Sequence, residues 1–265
     1  MPDWAHLALP GAEILFSDRT GGVSAPPFDS ANAGYSRGDD PAAVAENRRR
    51  IGAGLGGRAA DPAVWTCLHQ VHGAHVYVET AGHGAGAPCS GGARGGGPGR
   101  GGEAARITAD ASVSTDPDAV LAILTADCAP VALVGPGVVG AVHAGWRGLA
   151  AGVVEAAVVE VAERAGEAPT AVVGPCIHPC CYEFSPGDLE LVAGRLGGTV
   201  ASATATGAPA LDVPAAARIA LSRAGVAEII ELGVCTSCSA RHFSHRRDGR
   251  TGLQAMLVAA SPGRR

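Results

Sequence analysis

Short apolar segments rich in β-branched residues recur along this chain, and three of them give way to a loop at a histidine or a cysteine. They end at Gln70-Val71-His72-Gly73, Thr125-Ala126-Asp127-Cys128 and Val142-His143-Ala144-Gly145-Trp146-Arg147-Gly148. Open α/β sheets gather their sites at strand ends of this kind. The pattern therefore predicts strands of an α/β fold with reactive side chains close to one edge.

Strand and helix patterns alternate over most of the chain, as they do in α/β proteins. The sequence Asp39-Asp40-Pro41 predicts the start of a helix that continues over residues 42–52. A strand over 138–143 leads into a predicted helix over about 149–165, whose valines form one apolar face. Further elements are expected in this order: a strand over 171–174, a helix near 214–224, and strands around 229–235 and 254–259.

Segment 82–102 interrupts this pattern. Eleven of its 21 residues are glycine. It offers almost nothing to bury, so we expect a flexible surface insertion. The flanking segments, 64–79 and 107–130, are apolar enough to pair as strands across it. Because 265 residues with 47% apolar content suffice for one core, we predict a single catalytic domain over 1–265.

Charge and hydropathy restrict the partners. The net charge is −5, and the 20 basic residues are all arginines without a long basic run, so no nucleic-acid partner is expected. The absence of lysine excludes Schiff-base chemistry and a Walker-type phosphate loop. The apolar segments are too short to cross a bilayer and the N-terminus does not resemble a signal peptide, which predicts a cytoplasmic protein without a membrane partner.

His72, Cys128 and His143 are candidate metal ligands. Two imidazoles and one thiolate leave a tetrahedral zinc ion one position for water or substrate. Each residue alone also has an ordinary interpretation, because buried cysteines and hydrogen-bonded histidines are common in cores. His69 and His75 flank His72 at three-residue intervals, and on an extended strand both would face away from it.

The three segments are followed by two more, Gly174-Pro175-Cys176 through Tyr182-Glu183 and Phe243-Ser244-His245-Arg246-Arg247-Asp248-Gly249. These five segments and their order resemble the pattern of the laccase-domain family, also called multicopper polyphenol oxidase-like. The resemblance covers about 16–258. The resemblance implies mixed sheets in a layered αββα sandwich, with zinc on the three candidate ligands. It also implies a purine nucleoside phosphorylase acting on adenosine, inosine or methylthioadenosine with phosphate, and a side activity as an adenosine deaminase.

Phosphorolysis needs an anion site, and in a chain without lysine its donors must be arginines or backbone amides. Arg147 precedes a predicted helix and would gain from the exposed amides and the dipole at that end. Arg48 and Arg247 are similar to the family's substrate-contacting arginines, and we group Arg247 with the three ligands as catalytic. Arg19 and Asn32, in loops like those of the family, are further candidates for substrate or phosphate binding.

Two carboxylates and one aromatic residue lie next to these ligands in the sequence. Asp110 and Asp127 could orient a histidine, move a proton or only stabilise a turn, and Asp110 is also a candidate for substrate binding. Trp146 could stack on a purine, although a large aromatic residue beside a helix start more often packs in the core.

The remaining cysteines are expected to be structural thiols, since cysteine often simply packs. Cys235-Thr236-Ser237-Cys238 has the spacing of a zinc ribbon but lacks a second such pair. Cys176, Cys180 and Cys181 are expected to lie in a turn between prolines.

Three alternatives stay open. None of the nine histidines forms a His-x-His pair, and any axial methionine of a blue-copper centre would have to be Met256, so zinc is favoured over a copper-containing, redox-active phenol oxidase. A metal-free cysteine hydrolase would use Cys128 as nucleophile, activated by His143 or His72. A redox-signalling module would only store metal through its thiols. The expected partners are a purine nucleoside and phosphate, and the expected state is a monomer.

Overall fold

The computed structural model describes residues 2–79 and 107–261, so the predicted glycine-rich insertion at 82–102 lies outside the described residues. The strands are β1 (Ala5–Leu9), β2 (Ala12–Phe16), β3 (Trp65–Cys67), β4 (Val76–Glu79), β5 (Ala111–Ser114), β6 (Val120–Thr125), β7 (Ala129–Gly135), β8 (Val138–Ala144), β9 (Thr170–Val173), β10 (Ala201–Ala203), β11 (Pro209–Leu211), β12 (Ile229–Glu231) and β13 (Gln254–Ala260). The α-helices are α1 (Pro41–Leu55), α2 (Trp146–Ala151), α3 (Val153–Ala165), α4 (Pro186–Leu196), α5 (Val213–Arg223) and α6 (His245–Asp248).

Most of the strands belong to two mixed sheets. The five-stranded sheet has the order β1-β2-β13-β6-β3, with β3 and β6 as its parallel pair. The six-stranded sheet has the order β12-β9-β7-β8-β5-β4, antiparallel in the middle and parallel at both edges. Strands β10 and β11 form a separate antiparallel pair.

Three buried clusters stack the sheets and helices into four layers. Ile14 and Met256 of the five-stranded sheet share one cluster with Val134 of the six-stranded sheet. Leu257 points to the opposite face, because neighbouring residues of a strand alternate, and it packs in a second cluster with Ile51 of α1. A third cluster lies between the six-stranded sheet and helices α2 to α5. The order helix, sheet, sheet, helix confirms the αββα arrangement.

The segments 64–79 and 107–130 pair as predicted, but each contributes to both sheets. Strand β3 runs parallel to β6 in the five-stranded sheet, whereas β4 runs parallel to β5 in the six-stranded sheet. The connections from β3 to β4 and from β6 to β7 therefore cross from one sheet to the other. His72 lies on the first crossing and Cys128 on the second.

Helix α1 begins where the sequence predicts it, because the Asp40 side chain accepts a hydrogen bond from the N–H of Ala42 and Pro41 occupies the first turn. The single helix predicted at 149–165 is wrong, since two helices, α2 and α3, meet there. Gly152 separates them with a φ of 88°, a left-handed conformation that ends a right-handed helix. The first of the two already begins at Trp146, next to the candidate ligands.

Several elements carry no clear signal in the sequence. Strands β1 and β2 are five residues each, and β1 is a largely exposed edge strand in which Leu7 and Leu9 pack against the core. Helix α4 starts at a Ser185 cap that accepts from Asp188 N–H. Over 2–79 and 107–261, no helix is both long enough and apolar enough to pass through a lipid bilayer.

Candidate metal centre

The structure brings the three candidate ligands together where the chain passes between the sheets. His143 lies near the end of β8, and its register partner Pro130 is two residues beyond Cys128. The ligand atoms of His72, Cys128 and His143 all lie within 4.8 Å of one another. His69 and His75 do not belong to this group.

The distances fit a zinc ion. Cys128 Sγ lies 3.8 Å from His72 Nε2. A sulfur and a nitrogen ligand of one tetrahedral zinc ion are about 3.5 Å apart, given their usual bond lengths. The rings of His72 and His143 meet edge to face with centroids 4.8 Å apart. His143 is buried, Cys128 half-buried and His72 exposed, so the group is open to solvent on the His72 side.

Asp110 fixes the position of both histidines. Its carboxylate is fully buried and lies 2.8 Å from His143 Nδ1, which leaves Nε2 of that ring for a metal. The same carboxylate accepts the N–H groups of Val71, His72 and Gly73. Burial opposes its ionisation, but the His143 and main-chain hydrogen bonds lower the pKa of Asp110. Asp110 therefore acts on the site through the histidines.

Two residues at the site have a backbone conformation that is unusual outside glycine. His72 has a φ of 61° and Asp127 a φ of 102°. Strained residues of this kind persist when their surroundings hold them, and they are often found at functional sites. Asp110 holds the N–H of His72. The Asp127 carboxylate accepts from Thr236 Oγ1 and from the N–H of Arg246, each at 2.7 Å.

Cys128 and His143 form a coupled thiolate and imidazolium in the absence of metal. Burial opposes ionisation of the thiol, but the charge and hydrogen bond of His143, together with His72, lower the pKa of Cys128 to about 6. Burial likewise opposes protonation of the imidazole, but the Cys128 thiolate and the Asp110 carboxylate raise the pKa of His143 to about 9. The cysteine is thus ionised at neutral pH, which is the form that binds metals.

Gly145 completes the wall of this site. A Cβ placed on it would lie 2.7 Å from His72 Cδ2 and 3.2 Å from Cys128 Sγ. Only a glycine therefore lets β8 continue into α2 without displacing a ligand. The sequence pattern contains Gly145 but does not reveal this steric role.

Aromatic and arginine side chains lie beside the candidate centre. Trp146 and Phe184 meet edge to face at 5.3 Å, and Tyr182 lies 5.2 Å from Phe184. Arg147 stacks on Trp146 and Arg246 on Tyr182, at 4.3 and 4.6 Å from the ring centroids. Trp146 packs against the helical side of the core, in agreement with its ordinary interpretation.

The charges around Tyr182 connect these arginines to the ligands. Burial and the Cys128 charge raise the pKa of Tyr182 to about 12, while Arg246 and Arg147 act in the opposite direction. Cys128, Arg147 and Arg246 therefore all lie close enough to Tyr182 to affect the pKa of its hydroxyl. Arg246 is not among the candidate residues that the sequence indicates, although it directly precedes the candidate Arg247.

Arg247 and Arg19 are held by the protein itself. Nη1 of Arg247 donates to the carbonyls of Thr236, Ser237 and Ser239, Nη2 to that of His242, and Nε to Asp248. Arg19 donates to Asp29 through Nε and Nη2 and lies 3.6 Å from Asp248. In this conformation both arginines hold loops together, and their predicted roles in catalysis and in substrate or phosphate binding stay predictions.

Arg48 and Asn32 are also placed inside the fold. Arg48 is only 4% exposed, donates from Nε to Ala33 O and stacks on Tyr35 at 4.5 Å. Asn32 is fully buried, and its Oδ1 accepts the N–H groups of Gly34 and Leu253. These contacts hold the two side chains next to α1, and their predicted role in substrate or phosphate binding stays a prediction.

The structure also answers two questions about the sulfur-containing residues. Met256 is buried between the two sheets and does not join the three ligands as an axial group. The Cys-x-x-Cys segment does have a second pair, formed by neighbouring cysteines: Cys180, Cys181, Cys235 and Cys238 make a second potential metal-binding group. Whether these four cysteines are structural thiols, as expected, or metal ligands is therefore open, whereas Cys176 is buried and outside the group.

Solved structures support the fold. YlmD from Geobacillus stearothermophilus superimposes with a TM-score of 0.83 and 32% identity, covering 98% of this chain and 96% of that one. A hypothetical protein, YfiH, from Bacillus licheniformis gives a TM-score of 0.82 at 26% identity, covering 98% of this chain and 100% of that one.

Sequence relatives extend over the same length. A purine nucleoside phosphorylase of Streptomyces coelicolor is 41% identical, covering 94% of this chain and 95% of that protein. One of Streptomyces griseus is 42% identical, covering 93% and 94%. Residues 13–261 match the family described as multi-copper polyphenol oxidoreductase laccase. With that match and these relatives, the chain belongs to the laccase-domain family.

Proposed function

We propose that this chain is a zinc-dependent purine nucleoside phosphorylase that converts adenosine, inosine or methylthioadenosine and phosphate into a free base and a pentose 1-phosphate. One observation carries the proposal. His72, Cys128 and His143 form a three-ligand group that is open on one side. The names of the Streptomyces relatives supply the reaction class.

The donor set suits zinc better than copper. One thiolate and two imidazoles are familiar zinc ligands, and Met256 is buried in the cluster between the two sheets. When bound, zinc would supply a Lewis acid that polarises a substrate group or water at its remaining position. Asp110 would hold His143 and His72 in place for that purpose.

Arg147 and Arg246 are the arginines that we propose for phosphate. Arg147 is exposed and makes no hydrogen bond or ion pair to the residues that the structure describes. Arg246 donates from Nη1 to Glu183 O and keeps other N–H groups available. Guanidinium groups bind phosphate oxygens in pairs and stay charged. We propose that Arg247 instead positions Arg246 by fixing the loop that precedes it.

Tyr182 is our candidate for contact with the leaving base. In phosphorolysis a phosphate oxygen forms a bond to ribose C1′ while the bond from C1′ to the purine nitrogen breaks, and the electron pair leaves with the purine. Burial and the charge of Cys128 raise the pKa of Tyr182 to about 12, so its hydroxyl stays protonated. It can donate a hydrogen bond to the departing base but does not act as a general base.

An adenosine deaminase side activity would use the same site. In that reaction water replaces the amino group on the purine ring and ammonia is released, so no phosphate is needed. The arginines that hold phosphate should then be dispensable, whereas the three ligands should not. We also propose that the whole chain acts as one catalytic domain, because His143 lies on the six-stranded sheet while His72 and Cys128 lie on the crossings that connect it to the five-stranded sheet.

A coupled assay tests the phosphorylase proposal. Wild-type protein with zinc, inosine and phosphate should release hypoxanthine and ribose 1-phosphate, and Cys128→Ser should lose both zinc from this site and activity. Cys176→Ala, at a buried cysteine outside the group, is the matched control and should keep both. Failure of the zinc-loaded wild type to form ribose 1-phosphate would refute the proposal.

A second candidate, a metal-free cysteine hydrolase, is favoured by one observation. Cys128, His143 and Asp110 have the relation of nucleophile, base and orienting carboxylate, with the thiol pKa lowered to about 6. Metal analysis separates the two functions. Activity that survives complete removal of zinc and disappears on alkylation of Cys128 would favour the hydrolase.

A further inference from the structure

Four cysteines from two distant parts of the chain meet in a group separate from the candidate catalytic centre. Cys180 and Cys181 lie in a short turn between β9 and α4, and Cys235 and Cys238 follow β12. The sulfur of Cys238 lies 3.6 Å from that of Cys180 and 3.3 Å from that of Cys181. Cys180 Sγ lies 3.7 Å from Cys181 Sγ and 3.9 Å from Cys235 Sγ.

These distances match the edges of a tetrahedron around a metal. Zinc bound to four sulfurs at about 2.3 Å has neighbouring sulfurs about 3.8 Å apart. A disulfide needs its two sulfurs at about 2.05 Å, and the shortest separation here is 3.3 Å. The thiols are also half-buried or exposed, whereas Cys176 beside them is 1% exposed in the core. Packing alone accounts for Cys176 but not for the convergence of the other four.

Backbone N–H groups point at the sulfur of Cys235. The N–H of His178 donates to Cys235 Sγ at 3.4 Å. The N–H groups of Cys238 and Ser237 also donate to this sulfur. Main-chain donors that point at a sulfur in a Cys-x-x-Cys turn stabilise it as a metal ligand in the same way as hydrogen bonds to other charged groups.

We propose that Cys180, Cys181, Cys235 and Cys238 bind a second zinc ion as a closed, four-thiolate structural site. Four sulfur ligands satisfy tetrahedral zinc completely and leave no position for substrate. Binding displaces the thiol protons into solvent. The ion would join the turn before α4 to the loop after β12.

The proposed second zinc site lies next to residues that hold the candidate catalytic centre in place. Thr236, within the Cys-x-x-Cys turn, donates to the Asp127 carboxylate, and Asp127 precedes the ligand Cys128. Arg247 donates to the carbonyls of Thr236 and Ser237 in the same turn. A metal that fixes the turn would therefore hold Asp127 and the segment that carries Arg246.

Native mass spectrometry of the full-length protein, produced with zinc and kept reduced, gives the first test. Two potential sites predict two zinc ions per chain. Cys128→Ser should retain one ion and Cys238→Ser should also retain one, whereas the buried control Cys176→Ala should retain two. Because each site is removed separately, failure of the second site leaves the phosphorylase proposal standing, and the reverse also holds.

The wild-type protein alone can overturn the inference, so an unstable variant does not matter. One zinc ion per chain at saturating zinc, with the four thiols open to alkylation in the folded protein, would contradict it. Cobalt in place of zinc should add the intense sulfur-to-metal absorption of four thiolates, and Cys238→Ser should remove most of it.

Discussion

The two potential metal sites among the described residues differ in their ligands and in their place in the fold. The first combines two imidazoles with one thiolate, opens at the exposed His72 and contains two strained residues. The second has four sulfurs from two turns and no ligand from a sheet strand. A vacant coordination position and a held carboxylate suit chemistry, whereas a complete ligand shell suits stability.

Different supports accompany the two sites. The first is held by Asp110, a buried carboxylate that reaches one ligand ring and the main chain of another. The second is held mainly by backbone N–H groups that point at Cys235. Changes at one site should therefore leave the zinc content of the other unchanged, and the following variants examine that separation.

Removing a ligand of the first site should have the largest effect. His143→Ala deletes a buried ligand, so the ion should be lost and kcat/KM for inosine should fall about a thousandfold, equivalent to roughly 4 kcal/mol of lost Lewis-acid stabilisation. The four-thiol site should keep its zinc. Cys238→Ser should reduce activity far less, and similar losses in both variants would remove the proposed difference between the sites.

The pH dependence of thiol alkylation in the metal-free protein compares a cysteine of the first site, Cys128, with one of the second, Cys180. The pKa of Cys128 is lowered to about 6, so its thiolate form exists above that pH and its alkylation by iodoacetamide should fall as pH drops through it. At pH 6 it should carry on the order of a hundredfold more thiolate than an ordinary cysteine. Peptide mapping against Cys180, whose pKa burial raises to about 11, supplies the reference. Equal alkylation rates of Cys128 and Cys180 at pH 6 would contradict the ion pair between Cys128 and His143.

Asp110→Asn should weaken the first site without deleting a ligand. The carboxamide keeps the size of the side chain but loses the charge that stabilises His143 and one of the two oxygens that accept hydrogen bonds from the site. Loss of such an orienting partner reduces zinc affinity by about ten- to a hundredfold. Competition with a chromogenic chelator measures it. If Asp110 only supported the turn at His72, affinity would stay constant while thermal stability fell.

Gly145→Ala should have the smallest of these effects. The new methyl would press on His72 Cδ2 at 2.7 Å, and the exposed ring can move at the expense of its ligand geometry. We expect zinc affinity to fall about tenfold, or about 1.4 kcal/mol. Gly187→Ala is the matched control, because nothing lies within 4 Å of its added Cβ. Equal zinc affinity in both variants would show that the wall at Gly145 is not tight.

The sequence predicts this fold and the convergence of His72, Cys128 and His143 better than the surroundings of these residues. The apolar segments that give way to loops near them are visible as changes in hydropathy, so their convergence could be anticipated. The division of residues 64–79 between two sheets could not, because strand pairing depends on distant segments such as β13. The division of the predicted helix at Gly152 could not be predicted either, because a single glycine within an apolar pattern does not indicate a positive φ.

The contacts of the arginines could not be predicted from the sequence either. Arg247 and Arg246 are neighbours in sequence, and nothing local indicates that one donates to four carbonyls while the other stacks on Tyr182. The four-cysteine group was missed because its second pair, Cys180 and Cys181, lacks the expected spacing. Neighbouring cysteines can share one ion only when a turn directs both sulfurs inward, and that turn is a tertiary feature.

A zinc-edge anomalous difference map from crystals soaked with inosine tests the central claim most directly. We predict one peak bonded to His72 Nε2, Cys128 Sγ and His143 Nε2, with the nucleoside beside its remaining position, and a second peak among the four cysteine sulfurs. Strong density for inosine elsewhere, with no peak between the two histidines and Cys128 in zinc-saturated crystals, would contradict the account.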